Sequence, residues 1–327
     1  MRIIRYRHEL KSAWDRFVEE SKNGTFLHLR DYMEYHADRF KDHSLLIYNE
    51  KGRLIALLPG NESGATYHSH QGLTYGSLIL SVRSTTPEVC AVMQYLTEYL
   101  RARGFEKLIY KKTPLIYQRY PSDEDSYALF LLGATFYARN VSAAIRRERM
   151  LPFSYNRTRC ARKIAVSGAC RVVEGDNLTQ LWSLLEETLR DRHQAKPVHS
   201  LAEISLLQER FPEYIRSFTL ECDGIPEAGV VVYAYKGTVH TQYLCSSPTG
   251  RKSGALDYLL THLITKRYEG FEWFDLGTSN ENGGRVLNQG LMVQKEGFGA
   301  RAVVYDIYEL DLNHDKIPRS TENQCAV

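Results

Sequence analysis

Gly104-Phe105-Glu106 ends one helical pattern and opens a strand, and Gly270-Phe271-Glu272 does the same 166 residues later. Landmarks on both sides keep their order and nearly their offset. Trp14 with Phe17, Glu19 and Glu20 is echoed by Trp182 with Leu185, Glu186 and Glu187. Gly133-Ala134-Thr135-Phe136 precedes a strand pattern at 137–144, and Gly297-Phe298-Gly299-Ala300 precedes another at 302–310. Solenoid repeats run only to about 50 residues, so a period this long is a duplicated domain. The length of 327 residues agrees, since it accommodates two domains that each bury a core. The expected division is 1–150 and 151–327.

Composition narrows the class. With 43% hydrophobic and 25% charged residues the chain reads as globular rather than disordered, and no apolar run approaches the roughly 18 residues of a membrane span. The opening Met1-Arg2-Ile3-Ile4-Arg5-Tyr6-Arg7-His8 is too charged for a signal peptide, so a cytoplasmic protein is expected. The cysteines at 90, 160, 170, 222, 245 and 325 form no Cys-x-x-Cys pair and no zinc-type spacing. They are expected to be small buried residues or free thiols. A net charge of +3 is too small to imply nucleic-acid binding by bulk electrostatics, so an anionic partner must meet a local patch.

Each half runs helix, strands, helix, strand, helix, strand, which predicts an α/β (α+β) fold. In the first half, helices are expected at 10–21 and 30–40 and strands at 44–48, 54–59 and 74–80. Thr86 reads as the N-cap of a helix with Pro87 in its first position, and Val89, Val92, Met93, Leu96 and Leu100 recur on one face. Gly104 closes it before a strand at 107–111. In the second half Leu178, Leu181, Trp182, Leu185 and Leu189 form a stripe behind the cap Asn177. Strands at 217–222, 229–235 and 238–245 follow, joined by the turn pairs Asp223-Gly224 and Lys236-Gly237. A helix with Leu256, Leu259, Leu260, Leu263 and Ile264 on one face then leads to a strand at 271–276. After Asp311 the chain turns polar and reads as frayed.

Chemistry concentrates where the strand at 238–245 runs through Ser247-Pro248-Thr249-Gly250-Arg251-Lys252-Ser253-Gly254-Ala255 into that helix. A helix start leaves unpaired N–H groups and partial positive charge, and small residues let a phosphate approach them. Arg251 and Lys252 add side-chain charge. It is not a Walker A loop, because Arg251 rather than Gly precedes Lys252-Ser253. The competing structural reading is an ordinary glycine turn before a helix. Between the halves, Asn156, Arg157, Arg159, Arg162 and Lys163, closed by Gly168, read as a basic helix. It serves either a phosphate-rich ligand or RNA, or simply a solvated face paired with neighbouring acids.

Strand, Arg251-x-x-Gly254 loop, amphipathic helix and strand together resemble the acyl-donor site of the GNAT acetyltransferase fold, with Leu256 where that family has Gly or Ala. The duplication, the basic helix and the stretch Leu287-Asn288-Gln289-Gly290-Leu291-Met292-Val293-Gln294-Lys295-Glu296-Gly297-Phe298-Gly299 are similar to the Fem-type branch, tandem GNAT proteins that include peptidoglycan bridge aminoacyltransferases. The resemblance implies two tandem GNAT-like domains, each a mixed central sheet flanked by helices. It implies transfer from acyl-CoA or from aminoacyl-tRNA to an amine acceptor of a cell-envelope or polysaccharide precursor, and it does not choose between those donors. Donor contacts are then expected at Tyr243, Leu244, Cys245, Arg251, Lys252, Ser253, Gly254 and Ala255, with backbone N–H groups around 243–246 serving the oxyanion.

Attack of an amine on an activated carbonyl needs a base, an oxyanion donor and relief of leaving-group charge. Lys295 matches the Fem lysine, which implies that it stabilises negative charge near the reacting carbonyl or the leaving group, with a surface lysine as the bland alternative. His240, Asp275 and Glu296 are the positional candidates for the base. The first-half loop at 81–87 has no glycine, and Pro87 removes one N–H, so donor chemistry is assigned to the second half and acceptor binding or buttressing to the first. His70 and Gln71 are candidates to touch the acceptor. His68 and His70 would share one face of a strand, but no third ligand stands at a metal-binding spacing. Two other readings stay open: a non-catalytic tandem GNAT-like module that binds a phosphate-bearing ligand or partner protein, and nucleic-acid binding through 157–163.

Overall fold

A computed structural model of the chain describes residues 1–175 and 178–313, except the side chains of Arg192 and His193. The expected cap Asn177, Cys325 and the polar tail beyond 313 lie outside the described residues. Two compact units emerge: Met1–Asn140 with the chain from residue 304 onward, and Val141–Val303. The division falls inside two strands, Thr135–Arg146 and Arg301–Asp311, so the last strand residues return to the first unit rather than staying with the second half.

In the first unit, Arg2–Arg5, Leu45–Tyr48, Leu54–Leu58 and Ile79–Leu80 form an antiparallel sheet in that order. Lys107–Lys111 pairs antiparallel with the end of the Arg301–Asp311 strand and parallel with Thr66–His68. Helix Thr86–Arg101 turns Val89, Val92, Met93, Leu96 and Leu100 into a core with Leu45, Ile47 and Leu58, as its periodicity predicts. Thr85 rather than Thr86 caps it, its side chain accepting from Glu88 N, because the chain is still extended there.

Residues 30–40 form a short helix, Arg30–Met33, and a tighter turn, Glu34–His36, instead of one helix. Of 74–80 only Ile79–Leu80 is strand. Gly76 N donates to Lys111 O at 3.0 Å and Leu78 N to the Tyr110 hydroxyl at 2.6 Å, so separate bonds replace a ladder there.

The second unit contains the latter half of β1 (Thr135–Arg146), then α1 (Tyr155–Ser167), β2 (Cys170–Glu174), α2 (Leu178–His193), α3 (Leu201–Arg210), β3 (Ile215–Cys222), β4 (Ile225–Tyr235), β5 (Thr238–Ser246), α4 (Pro248–Ser253), α5 (Ala255–His262), β6 (Trp273–Thr278), α6 (Gln289–Glu296) and the start of β7 (Arg301–Asp311). Its strands lie in the order β2, β3, β4, β5, β6, β1, all antiparallel except β5 and β6. Both predicted hairpin turns are present. Asp223 and Gly224 have φ of 51° and 79°, and Lys236 and Gly237 have 42° and 90°, the paired positive values of a two-residue hairpin loop.

Successive β4 residues point to opposite faces. Ala228, Val230 and Val232 pack with Leu259, Leu260, Leu263 and Ile264 on one side. On the other, Gly229 lets α2 approach so closely that a Cβ there would lie 2.7 Å from Leu181 Cγ. The duplication is legible in the backbone too. Trp14 and Trp182 are both buried in helices, and Gly133 and Gly299, at the 166-residue offset, both take positive φ just before a strand.

The cysteine expectation needs correcting at one pair. Cys170 and Cys222 stand directly opposite each other on β2 and β3 and are joined as a disulfide. Cys245 is buried, and Cys90 and Cys160 are partly exposed thiols. No helix among the described residues is long and apolar enough to cross a membrane.

Burial of two histidines makes the first unit acid-sensitive. Burial holds His28 at a pKa of about 4, and burial, then the neighbouring His36, holds His70 at about 3. An unfolded chain protonates both near 6.5. Their contribution to stability is therefore complete above about pH 6.5 and is lost as pH falls, on the order of 2–3 kcal/mol from each by pH 4.5. Urea titrations from pH 7.5 to 4.5 should show this decline for the wild type and a smaller one for His28→Gln; a flat profile would place these imidazoles in contact with water.

Candidate active site

β5 and β6 run parallel but pair at only three positions, Thr238↔Trp273, Val239↔Phe274 and His240↔Asp275. Beyond them β5 keeps β4 as its neighbour as far as Ser246↔Ala228, whereas β6 bends at Gly277 and meets β1 again at Thr278↔Ser142. The two strands diverge from the His240–Asp275 pair onward. Along 241–246 β5 has no ladder with β6, and Ser246 O accepts instead from the side chains of Arg251 and Thr188.

The parallel register sets His240 beside Asp275. Asp275 has no exposed surface, and a buried carboxylate must be met by donors. His240 Nδ1 lies 2.7 Å from its Oδ2, while the Ser142 hydroxyl on β1 and Gly277 N, at 3.1 Å, donate to its Oδ1. Because Nδ1 faces the carboxylate it carries the proton, and the lone pair is at Nε2.

Lys295 arrives from α6. Asn288 caps this helix by accepting from Leu291 N, and Met292 and Lys295 occupy its inward face while Val293 is exposed. Lys295 Nζ donates to Gly277 O at 2.8 Å and Thr278 O at 2.7 Å and is 5% exposed. Burial lowers its pKa to about 8 against the opposing pull of Asp275. Gly277, with φ of 79°, is the corner around which these groups meet. A Cβ there would lie 3.5 Å from His240 Cε1 and 3.9 Å from Lys295 Nζ.

The structure thus brings His240, Asp275 and Lys295 together but not Glu296. Glu296 lines a different cavity, of about 570 Å³, with Ser154, Asn156, Arg157 and Arg301, because the residue after an inward lysine lies about 100° around a helix. Ser142 could not be anticipated, since its partner Asp275 is 133 residues away.

Past the divergence, Ser247 caps α4 by accepting from Gly250 N at 2.8 Å, and Gly254, with φ of 86°, joins α4 to α5. A cavity of about 300 Å³ opens here. Leu244, Cys245, Arg251 and Gly254 line it, as does Leu256, which the helical pattern had placed in the core. Four other expected donor contacts face elsewhere. Tyr243 turns its hydroxyl to His199 Nδ1 at 2.6 Å, Lys252 is exposed, the Ser253 hydroxyl donates to Gly250 O, and Ala255 is in the core. Burial pushes the Cys245 thiol up to about 12, so it is no nucleophile at neutral pH.

On α1, Arg157 is paired with Asp257, whereas Arg159, Arg162 and Lys163 are exposed. In the first unit His70 is 3% exposed beside His36 and Phe40, and Gln71 exchanges two hydrogen bonds with Asn61. His68 ends its strand and His70 has φ of 66°, so the two imidazoles do not share a strand face. Among the described residues no group of three or more His, Cys, Asp or Glu side chains is placed to hold a metal ion.

Strand, Gly254 loop, helix and strand follow one another as the resemblance implied, and residues 153–282 match the family model described as an acetyltransferase (GNAT) domain. The second unit carries a GNAT acetyltransferase domain. Solved structures extend the likeness over the whole chain. FemX aligns with 96% of this chain and 98% of its own at 11% identity and a TM-score of 0.67. L-PGS from Bacillus licheniformis aligns over 92% and 91% at 13% identity and 0.60. A tandem GNAT protein from the clavulanic acid biosynthesis pathway aligns over 96% and 99% at 11% identity and 0.52. At these identities the likeness is one of fold, and the fold is that of a tandem GNAT protein. No curated protein matches the chain in sequence.

Gly277 of the GNAT domain gives a direct test of this corner. Gly277→Ala should lose about 1–2 kcal/mol, the usual cost of a left-handed backbone with a Cβ, and should bring a methyl group into van der Waals contact with the His240 ring. Denaturant melts together with histidine NMR would read both effects. An unchanged His240 signal and stability would mean that the corner is looser than described.

Proposed function

We propose that the chain is an N-acyltransferase whose reaction centre is the His240–Asp275–Lys295 cluster, moving an activated acyl or aminoacyl group to an amine of a cell-envelope precursor. The observation that carries this reading is a buried lysine and a carboxylate-oriented imidazole that flank the same residue, Gly277, at the point where β5 and β6 separate. The GNAT match supports the reaction type. The acceptor class is supported by the likeness to FemX and to a protein described as a putative lysylphosphatidylglycerol synthetase.

In this reading His240 Nε2 takes a proton from the attacking amine, whose nitrogen forms the new C–N bond. Asp275 holds the ring in the competent tautomer and stabilises the imidazolium that results. The carbonyl oxygen becomes negative, and backbone N–H groups on the unpaired edge of β5 are its natural donors. The C–O or C–S bond to the donor then breaks, and the leaving group recovers the proton from His240. Lys295 spends two N–H groups on Gly277 O and Thr278 O. An ammonium has three, and the third serves the charge that develops on the oxyanion or leaving group.

Two results would follow with the full chain, a panel of acyl-CoA thioesters and aminoacylated tRNAs, and mass-spectrometric detection of acylated amine. His240→Ala should lower kcat about 10²–10⁴-fold, and Lys295→Met about 10²–10³-fold, with melting temperature tracked to confirm folding. If the charged form of Lys295 is the active one, the rate should fall as pH rises through about 8, and Lys295→Met should lack that limb. A Lys295→Met protein with the wild-type rate and pH profile would falsify the assignment.

A further inference from the structure

The corner where a GNAT domain would seat a donor's diphosphate is, in this chain, satisfied from within on its α4 side. An open anion seat offers backbone N–H groups, yet here Gly250 N bonds the Ser247 hydroxyl at 2.8 Å, Arg251 N bonds Ser247 O at 2.9 Å and Gly254 N bonds Gly250 O at 2.9 Å. These amides are committed because 248–253 is a capped helical turn rather than an open loop. Helix α1 closes over Gly254 as well, leaving a hypothetical Cβ there only 2.6 Å from Cys160 Cβ.

The cationic side chains are committed too. Arg251 Nη1 donates to Ser246 O at 2.6 Å. Arg157 is paired with Asp257, the third residue of α5, and both line the 300 Å³ cavity. Asp257 is 6% exposed. Its carboxylate stands at the positive end of α5, where an incoming phosphate would have to lie. An anion entering there meets a fixed negative charge and a guanidinium already neutralised by it.

We propose that Asp257 is a specificity-determining residue that rejects donors bringing a diphosphate to the start of α5, coenzyme A thioesters among them. It admits activated esters whose leaving group is uncharged at that point. The inference rests on the transferase reading for the word donor, but not for the binding behaviour of the cavity. Replacing Asp257 by a neutral isostere frees Arg157 and turns the cavity into an anion site.

Calorimetry of coenzyme A with the full-length protein tests this without turnover. Wild type should bind at millimolar levels or weaker, Asp257→Asn at least tenfold more tightly, and Arg157→Met/Asp257→Asn as weakly as wild type, since the gain comes from the freed guanidinium. Micromolar binding by wild type overturns the proposal, as does a folded Asp257→Asn protein with unchanged affinity. If Asp257→Asn does not fold, Asp257→Ser and the wild-type affinity decide by the same criteria. Acyl transfer by wild type from acyl-CoA at a micromolar KM would sink the proposal while upholding the transferase. Tighter binding by Asp257→Asn, in a protein that transfers no acyl group from any donor, would leave the proposal standing and end the transferase reading.

Discussion

The second unit is organised around a carboxylate that water does not reach. Ionised and alone, Asp275 would be untenable at zero exposure. Three elements each supply one answer to it: Ser142 from β1, the Gly277 amide from β6 itself, and His240 from β5. Each answer fixes something else. Ser142 ties β1 to β6 where their register shifts, the Gly277 amide turns β6 aside, and His240 acquires a defined tautomer. The bend at Gly277 in turn frees two carbonyls that only a cation reaching in from α6 can satisfy, and Lys295 does so. Structural need and chemical capability coincide in the same few bonds.

The divergence of β5 and β6 makes this cluster accessible to chemistry. Continued pairing past His240 would have consumed the edge of β5 and closed the space before α4. Instead β5 holds the His240–Asp275 pair near its start and the cavity lined by Leu256 and Asp257 near its end. Charge is distributed unevenly along it. The inner end holds a lysine whose proton is loosened by burial, whereas the outer end is balanced by the Arg157–Asp257 pair. The outer corner is thus neutralised and the inner one charged.

The duplicated architecture was legible from sequence because it is written in residues with few alternatives. Glycines that take positive φ before strands, the Asp223-Gly224 and Lys236-Gly237 turns, and helical stripes such as Val89 to Leu100 each leave a local signature. Lys295, His240 and Asp275 stood in the sequence only as positions in a pattern, and the structure sets them around Gly277. Where the reading differed from the structure, the deciding partner was distant in sequence. The disulfide of Cys170 and Cys222 depends on a register between two strands. Residues 74–78 are held by Asn23, Tyr110 and Lys111 rather than by a ladder. Glu296 lines another cavity because it lies one residue further round α6 than Lys295.

The sequence by itself determined the helices and strands with strong periodicity, that the plan occurs twice, and that the second copy carries the glycine-bearing helix start, because periodicity, capping and turn preferences act over a handful of residues. Only the tertiary structure decided which side chains meet. Asp275 and Ser142 are 133 residues apart and Arg157 and Asp257 are 100 apart, and no local rule links them. Their pairing follows from strand register and helix packing, which bury charge and so compel each carboxylate to find a donor.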